Sequence, residues 1–276
     1  MPEGPEVQSI VSDLQSLIVG RRILDLVTYD YTRKLLGEYD ADQLRKEIAG
    51  SKIVEVTRRG KNIILQLSSN VCLAFHLRMT GQVFLREDAP KYCRLTIKLD
   101  GEGDLHLADV RTFATCEVYS ADEMVDFEKK KKIGVDALSP AFSLRDLQLI
   151  LTGKRPLHAV LLDQTKISGL GNIYVNESLF EAGIHPLRKA ESLSDDLMKR
   201  LYKAIVVTLT KAIKNRGTTF SDYRLPGGEM GSFQKHLNVF RRTGEPCLRC
   251  GATIKREKLG GRSVFYCEEC QPLSEP

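Results

Sequence analysis

Cys247-Leu-Arg-Cys250 and Cys267-Glu-Glu-Cys270 carry the first decision about this chain. Sixteen residues separate the two pairs, enough for a β-hairpin between two Cys-x₂-Cys knuckles. Four thiolates at that spacing suit one tetrahedral Zn²⁺. Arg256-Glu-Lys-Leu-Gly-Gly261 places a Gly-Gly turn between strand-like runs, so the segment is predicted to be a zinc ribbon. Two local disulfides and four unrelated thiols are the alternatives, and the paired x₂ spacing argues against the second. The opening residues include Glu3 and Glu6 and do not read as a secretory signal, which favours the metal. A closed four-Cys site is structural, so a single Zn²⁺ is expected to hold the hairpin and to do no chemistry. Cys72, Cys93 and Cys116 stand in apolar, strand-like surroundings and are expected to be buried, reduced thiols.

Charge places the ribbon in context. The 276 residues are 42% apolar and 28% charged, ordinary for a soluble globular protein of two or three modest domains. No apolar run reaches the length of a membrane span, and a cytoplasmic, nucleoid-associated protein with no membrane contact is expected. The net charge of +5 is unevenly distributed. Residues 1–128 carry 16 Lys/Arg against 21 Asp/Glu, residues 129–232 carry 17 against 10, and residues 233–276 carry 8 against 5. The basic excess therefore lies wholly in the last two segments. A polyanion bound mainly by the C-terminal half is one reading, and a solvated lysine surface is the other.

Periodicity divides the chain at the same places. Gly4-Pro-Glu6 opens a helix with Pro in its first turn. Val7, Ile10, Val11, Leu14, Leu17 and Ile18 continue it to a stop at Gly20. Residues 23–27, 52–56, 63–67, 71–75, 95–99 and 115–119 read as strands, with a short helix over 40–48, so an antiparallel sandwich or barrel follows the helix. Beyond the Lys129–Lys132 run the period becomes helical. Ser143-Leu-Arg-Asp146 has capping-box form, and a long amphipathic helix starts at Asp195-Asp196 and closes at Gly217. Residues 217–232, rich in glycine, read as a flexible loop. Domains are thus expected over 1–128, 129–232 and 233–276.

The N-terminus offers chemistry. Removal of Met1 would leave a secondary amine on Pro2, and an α-amine, with a pKa of about 8, keeps a neutral, nucleophilic fraction at neutral pH. The positive end of the following helix would lower that pKa, whereas Glu3 and Glu6 would raise it. Glu3 is placed to act as general acid or base. Alone, the stretch reads equally as an acid-rich helix start.

Four motifs occur in a fixed order: Met1-Pro-Glu-Gly-Pro-Glu6, Arg58-Arg-Gly-Lys61, Asp163-Gln164 followed by Gly169-Leu-Gly-Asn-Ile-Tyr174, and the cysteine pairs. Together they span the chain, which resembles the formamidopyrimidine-DNA glycosylase and endonuclease VIII family of base-excision repair enzymes. The resemblance implies an α+β fold: an N-terminal helix with an antiparallel β-sandwich, a helix–two-turn–helix domain, and a four-Cys zinc finger. It also implies a DNA glycosylase with abasic-site lyase activity, acting as a monomer on double-stranded DNA that contains a damaged base or an abasic site. By that resemblance Pro2 is the nucleophile, Glu3 the acid at the sugar ring oxygen, Glu6 a supporting residue and Lys61 a phosphate contact. Asn172 and Arg262 correspond to residues that hold phosphate near the lesion. Met79, Arg111 and Phe113 correspond to those that fill the gap left by an extruded base. Taken singly, Met79 and Phe113 would more often be core residues.

The motifs also bear on substrate. Met79, Arg111, Phe113 and the 217–233 stretch are similar to the branch that excises oxidised purines such as 8-oxoguanine and formamidopyrimidines. Gly4 is similar to the endonuclease VIII branch, which takes oxidised pyrimidines. Two departures stand out. His158 takes the place of a lysine ahead of Leu161-Leu-Asp-Gln164, where a protonated imidazole could substitute and a neutral one would not. Asp109-Val-Arg-Thr-Phe113 lacks the usual Pro and second Arg. The expectation is an oxidised-purine glycosylase. A lesion binder without cleavage, or a zinc-ribbon module of another system, are the other classes, and both leave Pro2 and Glu3 without a purpose.

Overall fold

The computed structural model describes residues 2–273, which fold as two compact units, one of residues 2–131 with 215–234 and the other of residues 132–214 with 235–273. The stretch over 215–234, read from sequence as the end of the middle domain, thus joins the N-terminal unit.

In the first unit, helix α1 (Gly4–Ile18) precedes strand β1 (Ile23–Thr28), helices α2 (Thr32–Leu36) and α3 (Ala41–Ile48), and strands β2 (Ile53–Arg59), β3 (Asn62–Leu67), β4 (Val71–His76), β5 (Gln82–Arg86), β6 (Cys93–Leu99), β7 (Asp104–Ala108) and β8 (Thr115–Ser120). Two four-stranded antiparallel sheets result, ordered β2-β3-β4-β8 and β1-β6-β7-β5. Their apolar faces and the inner stripe of α1 (Val7, Ile10, Val11, Leu14, Ile18) form one core with Ile23, Ile63, Leu65, Leu73, Phe75, Ile97 and Leu107. β5 and β7 escape the sequence reading. Gln82–Arg86 follows Gly81 with little alternation, and Asp104–Ala108 carries His106 at a buried position. Cys72, Cys93 and Cys116 are buried free thiols, as expected.

In the second unit the capping box is present: Ser143 and Asp146 cap helix Leu144–Ile150. A helix at Leu157–Leu161 and one at Asn172–Ala182 follow, with Gly171 as N-cap. The long helix starts at Asp195 as read from sequence, ends at Lys214, short of Gly217, and packs on Asn172–Ala182. The C-terminal hairpin pairs Lys255–Leu259 with Arg262–Tyr266, and Gly260 and Gly261 take φ of 53° and 78° between them. Two successive positive-φ residues form the tight turn that matches strand twist, which is why the Gly-Gly pair sits there.

No helix among the described residues is long and apolar enough to cross a membrane.

Candidate active site and nucleic-acid interface

The N-terminus is built into the first unit. Pro2, Glu3 and Glu6 are all buried. Glu3 is the N-cap of α1 and Glu6 its third helical residue, and the two close a capping box in which the Glu3 amide donates to Glu6 Oε2 at 2.9 Å. The other oxygen, Oε1, accepts from the Thr218 amide at 2.7 Å, across 212 residues of sequence. Gly217 lies against the same carboxylate at φ 77°, and a Cβ there would stand 2.8 Å from Glu6 Oε1. The single hydroxyl proton of Tyr223 is shared between the Arg216 carbonyl at 3.0 Å and the Glu6 carbonyl at 3.3 Å. The 217–232 stretch is therefore pinned to the start of α1 at its N-terminal end. Thr218, Thr219, Tyr223 and Leu225 are buried within it.

Lys61 follows Gly60 in the two-residue turn between β2 and β3 and is 9% exposed. His76 lies on the neighbouring strand β4, its Nδ1 accepting from the Arg78 amide at 3.1 Å, which leaves the proton on Nε2. Burial, helped by the charges of Arg78 and Lys61, lowers the His76 pKa to about 4. At neutral pH this group is thus a neutral imidazole N–H donor flanked by two cations. The sequence reading gave His76 no role, and the pairing of Asn62 with His76 across β3 and β4 is what brings it beside Lys61.

Met79 and the Arg111–Phe113 segment come together on two loops. Met79 is 40% exposed at the apex of a turn closed by the Gly81 amide on the Leu77 carbonyl. A Cβ on Gly81 would stand 2.5 Å from that carbonyl oxygen, so only glycine fits. Next to Met79, Thr80 donates its hydroxyl to Asp109 Oδ1 at 2.5 Å. The same carboxylate accepts from the amides of Arg111 (3.1 Å), Phe113 (2.6 Å) and Ala114 (2.8 Å). Burial alone would raise the Asp109 pKa, but the bonds from Thr80 and these amides outweigh it and hold the carboxyl below its usual range. An ionised, fully hydrogen-bonded Asp109 thus fixes both loops at once. Phe113 is 43% exposed, with the Arg111 guanidinium 4.7 Å from its ring centroid. Neither Met79 nor Phe113 is a core residue. Asp109 has no role among the sequence expectations; its signal is an Asp opening a short loop, where a carboxylate can bind successive amides.

In the second unit, His158, Asn172 and Arg262 converge. His158 is 1% exposed and its Nε2 lies 2.9 Å from Asn172 Oδ1, while Asn172 Nδ2 donates to the Ser263 carbonyl at 2.9 Å. With the amide nitrogen committed, His158 Nε2 must be the donor. Burial lowers the His158 pKa to about 4 against the raising effect of the Asn172 bond, and the nearby Arg262 charge lowers it further. Of the two states considered for His158, the structure holds the neutral one at pH 7. Arg262 is exposed immediately after the Gly260-Gly261 turn. Asn176 ties the same hairpin to its helix by accepting from the Phe265 amide at 2.7 Å, and buried Glu177 accepts from the amides of Asn238, Val239 and Phe240.

The four cysteines form a ligand set. Their sulfurs all lie within 4.8 Å of one another, with Cys250 to Cys267 at 3.5 Å and Cys247 to Cys270 at 3.9 Å. These separations exceed a disulfide bond and match the spacing of about 3.8 Å expected between sulfurs that are each about 2.3 Å from a tetrahedral Zn²⁺. The Arg249 amide points at Cys247 Sγ at 3.4 Å, which favours the thiolate. The donor set fits one structural Zn²⁺.

A helix-capped β-sandwich with Pro2, Glu3 and Glu6 buried at its start, and a helical unit with a four-Cys ribbon, match the domain set of a class of DNA-repair enzyme. The profile of the formamidopyrimidine-DNA glycosylase N-terminal domain matches residues 1–116, that of its H2TH domain residues 133–224, and that of the zinc finger found in FPG and IleRS residues 244–273. The chain belongs to the formamidopyrimidine-DNA glycosylase family. It is 37% identical over 276 residues to the formamidopyrimidine-DNA glycosylase of Bacillus cereus, covering 99% of each chain. Among solved structures it is similar to Lactococcus lactis Fpg in complex with DNA containing an abasic site, with a TM-score of 0.90 and 37% identity over 98% of this chain and 100% of the other. The same protein in complex with DNA containing N7-benzyl-Fapy-dG gives the same TM-score, identity and coverage.

Proposed function

We propose that this protein removes oxidised purines from double-stranded DNA and cleaves the strand at the resulting abasic site, with Pro2 as the nucleophile. The observation that carries the reading is the buried Pro2-Glu3-Glu6 start of α1, locked to Thr218 by Glu6. Once Met1 is removed, this start offers a secondary amine next in sequence to a carboxylate, which a merely structural helix start in a DNA glycosylase fold would not require.

The Pro2 nitrogen attacks C1′ of the damaged nucleoside, the N-glycosidic bond breaks as the N–C1′ bond forms, and the proton lost from the Pro2 nitrogen passes to the departing base, which leaves neutral. Glu3 protonates O4′ as the sugar ring opens, leaving an iminium between Pro2 and C1′. The iminium acidifies the C2′ proton. Its removal expels the 3′ phosphate by β-elimination, and a second elimination expels the 5′ phosphate. Hydrolysis of the iminium then frees Pro2. Glu6 keeps the first turn of α1 and the 217–218 backbone in register, so the amine and Glu3 stay aligned.

Lys61, Asn172 and Arg262 hold phosphates, and neutral His158 acts by orienting Asn172. Met79, Arg111 and Phe113 fill the space left by the extruded base. Zn²⁺, held by Cys247, Cys250, Cys267 and Cys270, supports the hairpin that carries Arg262. The protein works as a monomer in the cytoplasm, at the nucleoid.

The test compares protein processed to expose Pro2 with protein carrying an N-terminal extension, on a duplex with 8-oxoguanine opposite cytosine. The processed form should nick the duplex and the extended form should bind without nicking. Equal nicking by both would overturn the Pro2 mechanism.

A further inference from the structure

Lys34 lies on α2, outside every residue assigned above, yet it reaches the gap-filling loop. Its ammonium donates to Thr112 Oγ1 at 3.0 Å and stands 5.5 Å from the centroid of the Phe113 ring. Thr112 has a left-handed backbone, φ 57°, so its conformation is one a β-branched residue adopts only under constraint. Lys34 itself is exposed, but its helix is anchored: Leu35 and Leu36 are each 4% exposed and belong to the sandwich core. The stem is therefore fixed at its base and the charge is directed onto the loop.

Among the described residues, Arg111 at 4.7 Å and Lys34 at 5.5 Å both lie over the Phe113 ring. The two are held differently. The Arg111 side chain is exposed and extends from the same loop as Phe113, whereas Lys34 comes from a separate element and is bonded to Thr112. When Arg111 extends toward an orphaned base, Lys34 can keep its place on the ring and on Thr112.

We propose that Lys34 is a positioning residue for base extrusion, holding the Thr112–Phe113 wedge in its inserting conformation. The proposal rests on the glycosylase reading above. An ordered wedge loses less freedom on entering the base stack, so the benefit falls on the step that displaces an intact base. A site that already lacks its base has no base to expel and depends on Lys34 far less.

The experiment uses full-length Lys34→Met, which keeps the stem and removes the charge, and Lys34→Arg, which restores a cation. Each is assayed against the unaltered protein on 8-oxoguanine duplex and on a duplex with a preformed abasic site. Loss of one exposed cation–ring contact and one hydrogen bond predicts about a tenfold fall in kcat/KM for 8-oxoguanine excision by Lys34→Met. Abasic-strand cleavage should stay within about twofold, and Lys34→Arg should recover most of the lost excision. Unchanged excision by Lys34→Met, or an equal loss on both duplexes, overturns the proposal. Inactivity of the unaltered protein on both duplexes would instead sink the glycosylase reading.

A second measurement reports on the wedge without activity. The chain has no tryptophan, so Phe113→Trp introduces a single reporter. Acrylamide should quench that indole more strongly when Lys34→Met is added. Identical quenching would overturn the positioning role even if the protein proved inactive on every duplex.

Discussion

Thr80 donates its hydroxyl to Asp109 Oδ1 at 2.5 Å, and this contact joins the turn bearing Met79 to the loop bearing Arg111 and Phe113. Asp109 is 1% exposed and accepts four bonds, so it acts as the shared anchor of both loops. Asp109→Ala would leave buried amides unpaired and should cost about 2–4 kcal/mol in urea unfolding. Thr80→Val removes only the link between the loops. It should cost about 1 kcal/mol yet reduce lesion excision more than it reduces binding to undamaged duplex. Equal, small effects on both would show that the loops act independently.

Glu6 and Gly217 make a second joint. Glu6→Gln replaces one carboxylate oxygen with an amide group that faces an N–H of Glu3 or Thr218 instead of accepting from it. Strand cleavage should fall at least about tenfold, since one charge-assisted bond contributes roughly 1.5–3 kcal/mol. Gly217→Ala adds a Cβ 2.8 Å from the same carboxylate at a positive φ, and should destabilise by about 1–3 kcal/mol. Wild-type cleavage rates in both variants would remove Glu6 from the account.

His158 gives a pH signature. Its folded pKa of about 4 lies below the ordinary value of 6.5, so the folded state binds fewer protons than the unfolded chain between these values. Its contribution is fully present above pH 6.5 and is lost as pH falls toward 4, a change of about 3 kcal/mol. His158→Gln should flatten the stability–pH slope between pH 6.5 and 5 relative to the unaltered protein. The difference between the two proteins cancels the titration of His76 and of the zinc ligands. Parallel curves would mean that His158 titrates normally.

The ribbon should depend on its metal. Cys250→Ser, or removal of zinc by a chelator, should unfold the 247–270 hairpin and release the Ser263 carbonyl from Asn172, and the adjoining Arg262 with it. Affinity for an abasic-site duplex should fall by about tenfold or more, the loss expected for the phosphate contact proposed for Arg262. Unchanged affinity in a gel-shift titration would contradict that dependence.

Much of this was legible in the chain because local rules agree with the fold. The helix at 4–18, the capping box at Ser143, the long helix from Asp195 and the Gly260-Gly261 turn are all set by residues within a few positions of one another. The cysteine spacing likewise contains its own answer. What escaped depends on contacts distant in sequence. Glu6 meets Thr218 across 212 residues, and that bond turns an apparently flexible glycine stretch into a fixed one at its N-terminal end. Asp109 looks like any polar loop residue until Thr80 is brought to it by the pairing of β5 with β7. His158 reads as a lysine substitute in sequence, and only its burial against Asn172 shows it to be neutral.

The most direct test of the central claim is borohydride trapping of the processed protein on 8-oxoguanine and oxidised-pyrimidine duplexes, followed by peptide mapping. The account predicts a covalent protein–DNA adduct at the N-terminal peptide, attached through Pro2 and formed preferentially with 8-oxoguanine. An adduct at a lysine such as Lys61, or none with either lesion or with an abasic site, would contradict it.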